Sequence, residues 1–282
     1  AFYRFDVSDL KGGHSGDDIN KGRANSNKIA ARLLLMAQND YEGRVSYFDG
    51  GNLRNAIPRE AYAVVGVPSK MKEKFEKSAK QFCEDVKEEF RLTESDMRLT
   101  LSDMPMVEDV IDMAAQCNLL AALVGVPNGV IAMSAAIPTL VETSTNLASV
   151  KFSGKQKIVV TTSQRSSVES AKEYAKMAVE SVFLLAGAEV EHSDGYPGWA
   201  PNTDSHLLKV TVDSYKNLFG VEPKVKAVHA GLECGLFLEK YPHLEMVSFG
   251  PTLRGVHSPD ERLEIATVDK FWRHLKDVVK NL

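Results

Sequence analysis

The chain has 282 residues, 44% of them hydrophobic, with 34 Lys and Arg against 38 Asp and Glu. That length and apolar content can fill one large domain or two ordinary ones. The mildly acidic balance, with no basic run, argues against nucleic acid or a lipid surface as partner.

Three scattered cysteines, Cys83, Cys117 and Cys234, lack CxxC spacing and read as reduced thiols of a cytoplasmic protein. The most apolar stretch, Met113 to Val141, is broken by Pro127, Asn128, Gly129 and Pro138, too often to cross a bilayer. The N-terminus AFYRFDVSDL alternates at Tyr3, Phe5 and Val7, which predicts a strand and not a signal peptide. A chain opening in mid-strand without Met is expected to be a fragment or a trimmed piece.

Ile29, Leu33, Leu34 and Ala37 have helical spacing, and Val45 to Phe48 and Tyr62 to Val67 are β-rich runs. A charged helix over Lys70 to Phe90 carries Met71, Phe75, Phe82 and Val86 on one face, and Met97 to Leu101 alternates like a half-buried strand. A second round follows. Glu108 to Leu123 reads as an apolar helix, Leu147 to Phe152 and Ile158 to Thr162 as strands paired across Ser153-Gly154, and Val168 to Leu185 as a helix. Two such rounds suggest two similar halves, without a fixed-period repeat behind them.

The Gly- and Pro-rich stretch HSDGYPGWAPN, His192 to Asn202, marks a boundary. Beyond it the expected order is a helix at Ser205 to Phe219, a strand at Lys224 to His229, a short helix at Leu236 to Tyr241 and a buried strand at Met246 to Phe249. A last helix runs from Arg262 to Leu282. The fold class is therefore α/β: an α+β unit over 1–196, and over 197–282 part of a larger parallel or mixed sheet.

Five segments could carry chemistry. In Gly12-Gly13-His14-Ser15-Gly16 the glycines leave the imidazole room to reach a substrate, although a hairpin loop with a solvated His would look the same. Asn55, in GGNLRNAIPRE, offers a neutral amide donor for an oxyanion, or is an ordinary turn residue before Pro. Arg165 stands at a strand-to-helix junction where Ser166 or Ser167 could cap the helix; its guanidinium could grip a carboxylate or face solvent.

In HAGLECG, at a strand end, Gly231 lets a ligand approach the backbone, or the segment is a plain loop. His257 follows a Gly/Pro turn, and Ser258 to Glu261 form a helix-start signature. That puts a neutral imidazole at a sheet lip or merely beside a helix cap. His192-Ser193-Asp194 has the His-x-Asp spacing of two-zinc hydrolases, but it sits in the boundary loop with no acid cluster nearby. HExxH, GxSxG, a P-loop and GxGxxG are absent.

Together, LKGGHSGDDI, GGNLRNAIPREA, SQRSSVES, HAGLECGLF and SFGPTLRGVHSPDERLEI resemble the aminoacyl-histidine (Xaa-His) dipeptidases, a carnosinase-like branch of the co-catalytic zinc peptidases. The resemblance implies a lid domain over 1–196 and the closing part of an α/β catalytic domain over 197–282. It implies two zinc ions, or other divalent metals, with His257 as a metal ligand.

By the same resemblance His14 and Asn55 polarise the scissile carbonyl, Arg165 holds the free carboxylate of a dipeptide, and Gly231 lines the pocket. The family's early His-x-Asp, bridging Asp and Glu-Glu pair have no counterpart here. The chain by itself is therefore expected to bind little or no zinc and to be inactive. Two alternatives stay open: a non-catalytic lid or interaction module, and a related zinc deacylase or aminoacylase. The resemblance is also compatible with a homodimer through the lid.

Overall fold

Alternation at the N-terminus becomes strand β1 (Phe2–Ser8), which buries Tyr3, Phe5 and Val7 and turns Arg4 outward. The computed structural model describes the chain except residues 136, 155, 156, 194, 196, 200, 201, 203, 227–232 and 255–260. Its described residues fall into two compact units, Ala1–Gly198 and those from Trp199 onward.

In the first unit the glycine loop after β1 holds a two-residue strand β2 (Gly13–His14). Helix α1 (Ser26–Tyr41) then starts where the Asn25 side chain accepts from the N–H groups of Asn27 and Lys28, the bonds an Asn N-cap supplies. Its buried face is Ile29, Ala30, Leu33, Leu34 and Ala37. Strands β3 (Arg44–Gly50), β4 (Ala56–Ile57) and β5 (Ala61–Gly66) follow, then helix α2 (Lys72–Glu89) and strand β6 (Arg98–Met104).

Helix α3 covers Met113–Gly125, so the helix expected from Glu108 starts later. Asp112 caps it by accepting from Ala114 N–H at 2.9 Å and Ala115 N–H at 3.0 Å. The residues before the cap lie against β3 instead, where Ile111 N–H donates to the Val45 carbonyl at 2.9 Å.

Strand β7 (Gly129–Met133) had no counterpart in the sequence reading. Strand β8 (Val141–Ser153) begins well before Leu147, and β9 (Lys157–Ser166) runs past Thr162 to include Arg165. The added part of β8 is the polar run Thr143-Ser144-Thr145-Asn146, buried to 2% exposure or less. Thr143 and Ser166 join hydroxyls across the β8–β9 pair at 2.8 Å, which removes the cost of burying them. Helix α4 (Glu169–Leu185) has Val168 at its cap position without a side-chain bond; the Ser166 hydroxyl, two residues earlier, accepts from Val168 N–H.

Seven of these nine strands make one antiparallel sheet in the order β6-β1-β5-β3-β8, with β9 along one edge of β8 and β7 beside β3 on the other, and β2 and β4 pair separately. Helix α1 lies on β1, β3, β5 and β8, α2 on β6, and α4 on β8 and β9, with α3 between α1 and α4. One core joins these layers, including Phe5, Phe48, Phe75, Leu33, Leu34, Leu123 and Leu147. Each such fully buried side chain contributes about 1.5–3 kcal/mol. On the opposite face Tyr47 stacks on Tyr62, and Arg4 covers the Tyr62 ring at 4.0 Å.

In the second unit helix α5 (His206–Phe219) starts at Ser205, with the Glu245 carboxylate accepting from His206 N–H at 3.2 Å and Leu207 N–H at 2.8 Å. Helix α6 (Glu233–Lys240), the short pair β10 (Leu253–Arg254) and β11 (Arg262–Leu263), and helix α7 (Val268–Lys280) follow. His274 is buried beside Tyr215, Phe219 and Phe249, and its Nε2 donates to the Thr211 carbonyl at 2.9 Å.

Three sequence expectations fail here. Met246 to Phe249 is not a strand, nor are Lys224 to Lys226, and the rest of that expected strand lies outside the described residues. A strand exists only through a partner's hydrogen bonds, and among the described residues no neighbouring strand reaches them. The last helix starts at Val268, not Arg262, because Arg262 and Leu263 pair with β10.

Candidate functional site

Strands β2 and β4 pair antiparallel, His14 opposite Ala56 and Gly13 opposite Ile57. This short ladder joins the glycine loop to the turn carrying Asn55. Ser15 N–H extends it by donating to the Asn55 carbonyl at 2.8 Å. The Ser15 hydroxyl, 1% exposed, accepts from Arg165 Nε at 3.3 Å. Three of the residues singled out in the sequence, His14, Asn55 and Arg165, thus meet around Ser15. The other two, Gly231 and His257, lie outside the described residues.

Glycine is required at two points of this frame. Gly13 has φ +132°, and a Cβ there would fall 2.2 Å from Arg23 Nη1 and 2.4 Å from Asp18 Oδ2. Gly51 has φ +65°, with the Ala148 carbonyl oxygen 1.9 Å from where a Cβ would stand. Both are conformations that L side chains rarely adopt.

The backbone beside His14 favours one tautomer of the neutral ring. Its Nδ1 accepts from Gly16 N–H at 3.2 Å and Asp17 N–H at 3.3 Å. A nitrogen that accepts carries no proton, so the neutral ring holds its proton on Nε2. The Asp17 carboxylate is 3.8 Å from the same Nδ1 and its side chain is 69% exposed, too distant and too solvated to compete. An Nε2–H donor is the form that can polarise a carbonyl oxygen.

Below the ring, Asp18 accepts from His14 N–H at 2.8 Å. Burial alone would raise the Asp18 carboxyl, but the Lys21 ammonium, the His14 N–H and Arg23 outweigh it and hold it below the usual carboxylate range. Arg165 is half-buried, and burial lowers its proton affinity; the positive charge of Arg54 adds to that, and Asp17 opposes it. Among the described residues no carboxylate lies within ion-pair distance of Arg165, and its only hydrogen bond uses Nε. Its two Nη groups therefore have donors to offer a ligand carboxylate, in the geometry suited to two parallel bonds.

The Asn55 side chain is exposed. Its turn is held from behind: Asn146 Nδ2 donates to the Ala56 carbonyl at 2.8 Å, and Lys151 Nζ donates to Asn52 at 2.9 Å and Asp49 at 2.7 Å. Ser15, Asp18 and Asn146 were not singled out by sequence reasoning. Ser15 and Asp18 carried a weak signal by flanking His14, whereas Asn146 sits in a polar run that reads as a loop.

Among the described residues no group of three or more His, Cys, Asp or Glu side chains is arranged to hold a metal. These residues therefore do not fit a zinc pair by themselves. His192 pairs with Glu180 at 3.2 Å, and Asp194 lies outside the described residues.

A profile of peptidase family M20/M25/M40 matches residues 25–281. The chain belongs to this peptidase family. It is 35% identical over 282 residues to the cytosol non-specific dipeptidase of Escherichia coli (strain K12), covering 99% of this chain and 58% of that protein. The crystal structure of aminoacylhistidine dipeptidase from Vibrio alginolyticus superposes with a TM-score of 0.91 at 39% identity, over 100% of this chain and 57% of that one. The chain spans a little over half the length of these relatives. The expectations that it is an excised piece and inactive alone gain no support from these matches.

Proposed function

We propose that the protein works as a dipeptidase of its family, hydrolysing Xaa-His dipeptides with zinc, and that 1–196 acts as the lid over the substrate. The observation that carries this reading is the convergence of His14, Asn55 and Arg165 around Ser15. A dipeptide has a scissile carbonyl close to a free carboxylate. The Arg165 Nη groups bind that carboxylate, and His14 Nε2–H with the Asn55 amide stabilises negative charge developing on the carbonyl oxygen. This selects a free C-terminus and disfavours longer peptides.

The metal pair enters the proposal through family membership, with His257 as this chain's ligand and Gly231 lining the pocket. When bound, zinc supplies an activated water at neutral pH. A cytoplasmic location and a homodimer through the lid belong to the same reading.

The test is hydrolysis of β-alanyl-histidine, glycyl-histidine and matching N-acetyl amino acids by the chain supplied with zinc, with dipeptide binding followed by NMR. Zinc-dependent cleavage of the dipeptides supports the reading. Preference for N-acetyl amino acids would make the protein a deacylase. Binding without cleavage under any divalent metal would leave a non-catalytic lid module.

A further inference from the structure

The loop that carries His14 should be costly to order. Between Lys11 and Ala24 it contains Gly12, Gly13, Gly16 and Gly22, three of them at positive φ, and glycine loses the most backbone freedom on folding. The β2–β4 ladder, extended by Ser15 N–H, fixes three residues of it. Yet the Nδ1 of the His14 ring is met by two N–H groups of that loop, those of Gly16 and Asp17.

Both ends of the loop meet one side chain. Glu94, between α2 and β6 and 3% exposed, accepts from Lys11 N–H at 2.8 Å with one oxygen and from Ala24 N–H at 3.0 Å with the other. Among the described residues no Lys, Arg or His pairs with it. A buried carboxylate ordinarily needs a cation partner. Here both oxygens are given to backbone donors at the two feet of a glycine-rich loop, and the charge makes those bonds stronger than neutral ones.

We infer that Glu94 is a positioning residue for His14: its carboxylate closes the loop Lys11–Ala24 at both feet, so that the imidazole keeps its Nε2–H tautomer and direction. Glu94 lies far from the ring in sequence and acts on it only through the backbone. The functional consequence rests on the reading of His14 as the group that faces the scissile carbonyl.

The experiment uses the whole chain with Glu94→Ala and Glu94→Gln. Gln keeps one acceptor oxygen but turns an amide nitrogen toward the other N–H, so it should give an intermediate result and keep the fold if Ala does not. Amide exchange at Gly16 and Asp17 is expected to accelerate about tenfold or more, while amides of β1 and β5 stay protected. The ¹⁵N spectrum of the His14 ring should move toward a mixture of tautomers. In the dipeptide assay kcat should fall with KM within about threefold, and Glu94→Ala combined with His14→Ala should be no slower than His14→Ala alone.

An unchanged His14 tautomer and unchanged exchange would overturn the inference. So would equal loosening throughout the first unit, or full additivity of the two substitutions. If wild-type protein cleaves no dipeptide, the functional reading fails on its own, while the exchange and tautomer measurements still decide the role of Glu94.

Discussion

Arg165 Nε donates to the Ser15 hydroxyl at 3.3 Å across 150 residues of sequence, joining the end of β9 to the glycine loop that carries His14. Because Ser15 takes Nε, the Nη pair of the guanidinium is left for a ligand. Ser15→Ala removes that restraint without touching a ligand. A dipeptide KM raised about tenfold, equivalent to about 1.4 kcal/mol, with a smaller change in kcat, is the expected result of steady-state kinetics. An unchanged KM would mean that Arg165 is aimed by packing alone.

His14 offers the better defined of the two donors assigned to the oxyanion. Removing one such donor lowers turnover by about 10²–10³. His14→Ala should show that loss in kcat, with little effect on thermal unfolding because the ring is partly exposed. Full turnover in the variant would take His14 out of the mechanism.

Gln116 is fully buried in α3, and its polar contacts tie α3 to the start of β3 and to the end of α1. It accepts from Val45 N–H at 2.8 Å and donates to the Gly43 carbonyl at 2.9 Å and to Gln38 at 3.0 Å. Gln116→Leu matches its size but strands the Val45 and Gly43 backbone groups, at about 1–3 kcal/mol for each group left unpaired. A lower urea midpoint at unchanged slope would register it.

Lys28 donates to the Val124 and Val126 carbonyls at the end of α3, and burial pushes its ammonium down to about 8. An unfolded lysine titrates near about 10.4. Between those values the unfolded chain holds a proton that the folded chain has released, so this contribution to stability rises with pH across the window and is lost as pH falls through 8. Urea titrations at pH 7.5 and 10 should therefore show the wild type gaining on Lys28→Met. Parallel changes in the two proteins would contradict it.

Burial pushes the Cys83 thiol up to about 11, whereas Cys117 is exposed on α3. The thiolate is the reactive form. Iodoacetamide at neutral pH should modify Cys117 in the native protein and reach Cys83 only in denaturant. Equal rates, read by mass spectrometry, would show that α2 opens readily.

Strands and helices with a clear apolar period, such as β1, α1 and α2, were legible in the sequence because one face of each pays no polar penalty on burial. The polar half of β8 was not, since Thr143, Ser144, Thr145 and Asn146 are buried only through cross-strand and side-chain bonds that no local pattern announces. Met246 to Phe249 misled in the opposite sense: a strand-like composition without a partner strand. For the site, His14, Asn55 and Arg165 were legible through residue type and glycine context. Ser15 and Glu94 were not, because their importance lies in contacts with segments far away in the chain.

The sheet of the first unit is continuous only in a loose sense. Strands β3 and β8 pair through just Asp49 with Lys151 and Gly50 with Val150. The rest of that border is closed by side chains, with Asn25 and Asn27 donating to the Leu147 carbonyl at 3.0 and 3.3 Å and Asn146 to that of Ala56. His14 and Asn55 ride on one side of this seam, and Arg165 on the other. On the roles proposed for His14 and Arg165, the span between carbonyl and carboxylate would be gauged across a joint stitched by a few amides, with those asparagines setting the length of dipeptide that fits.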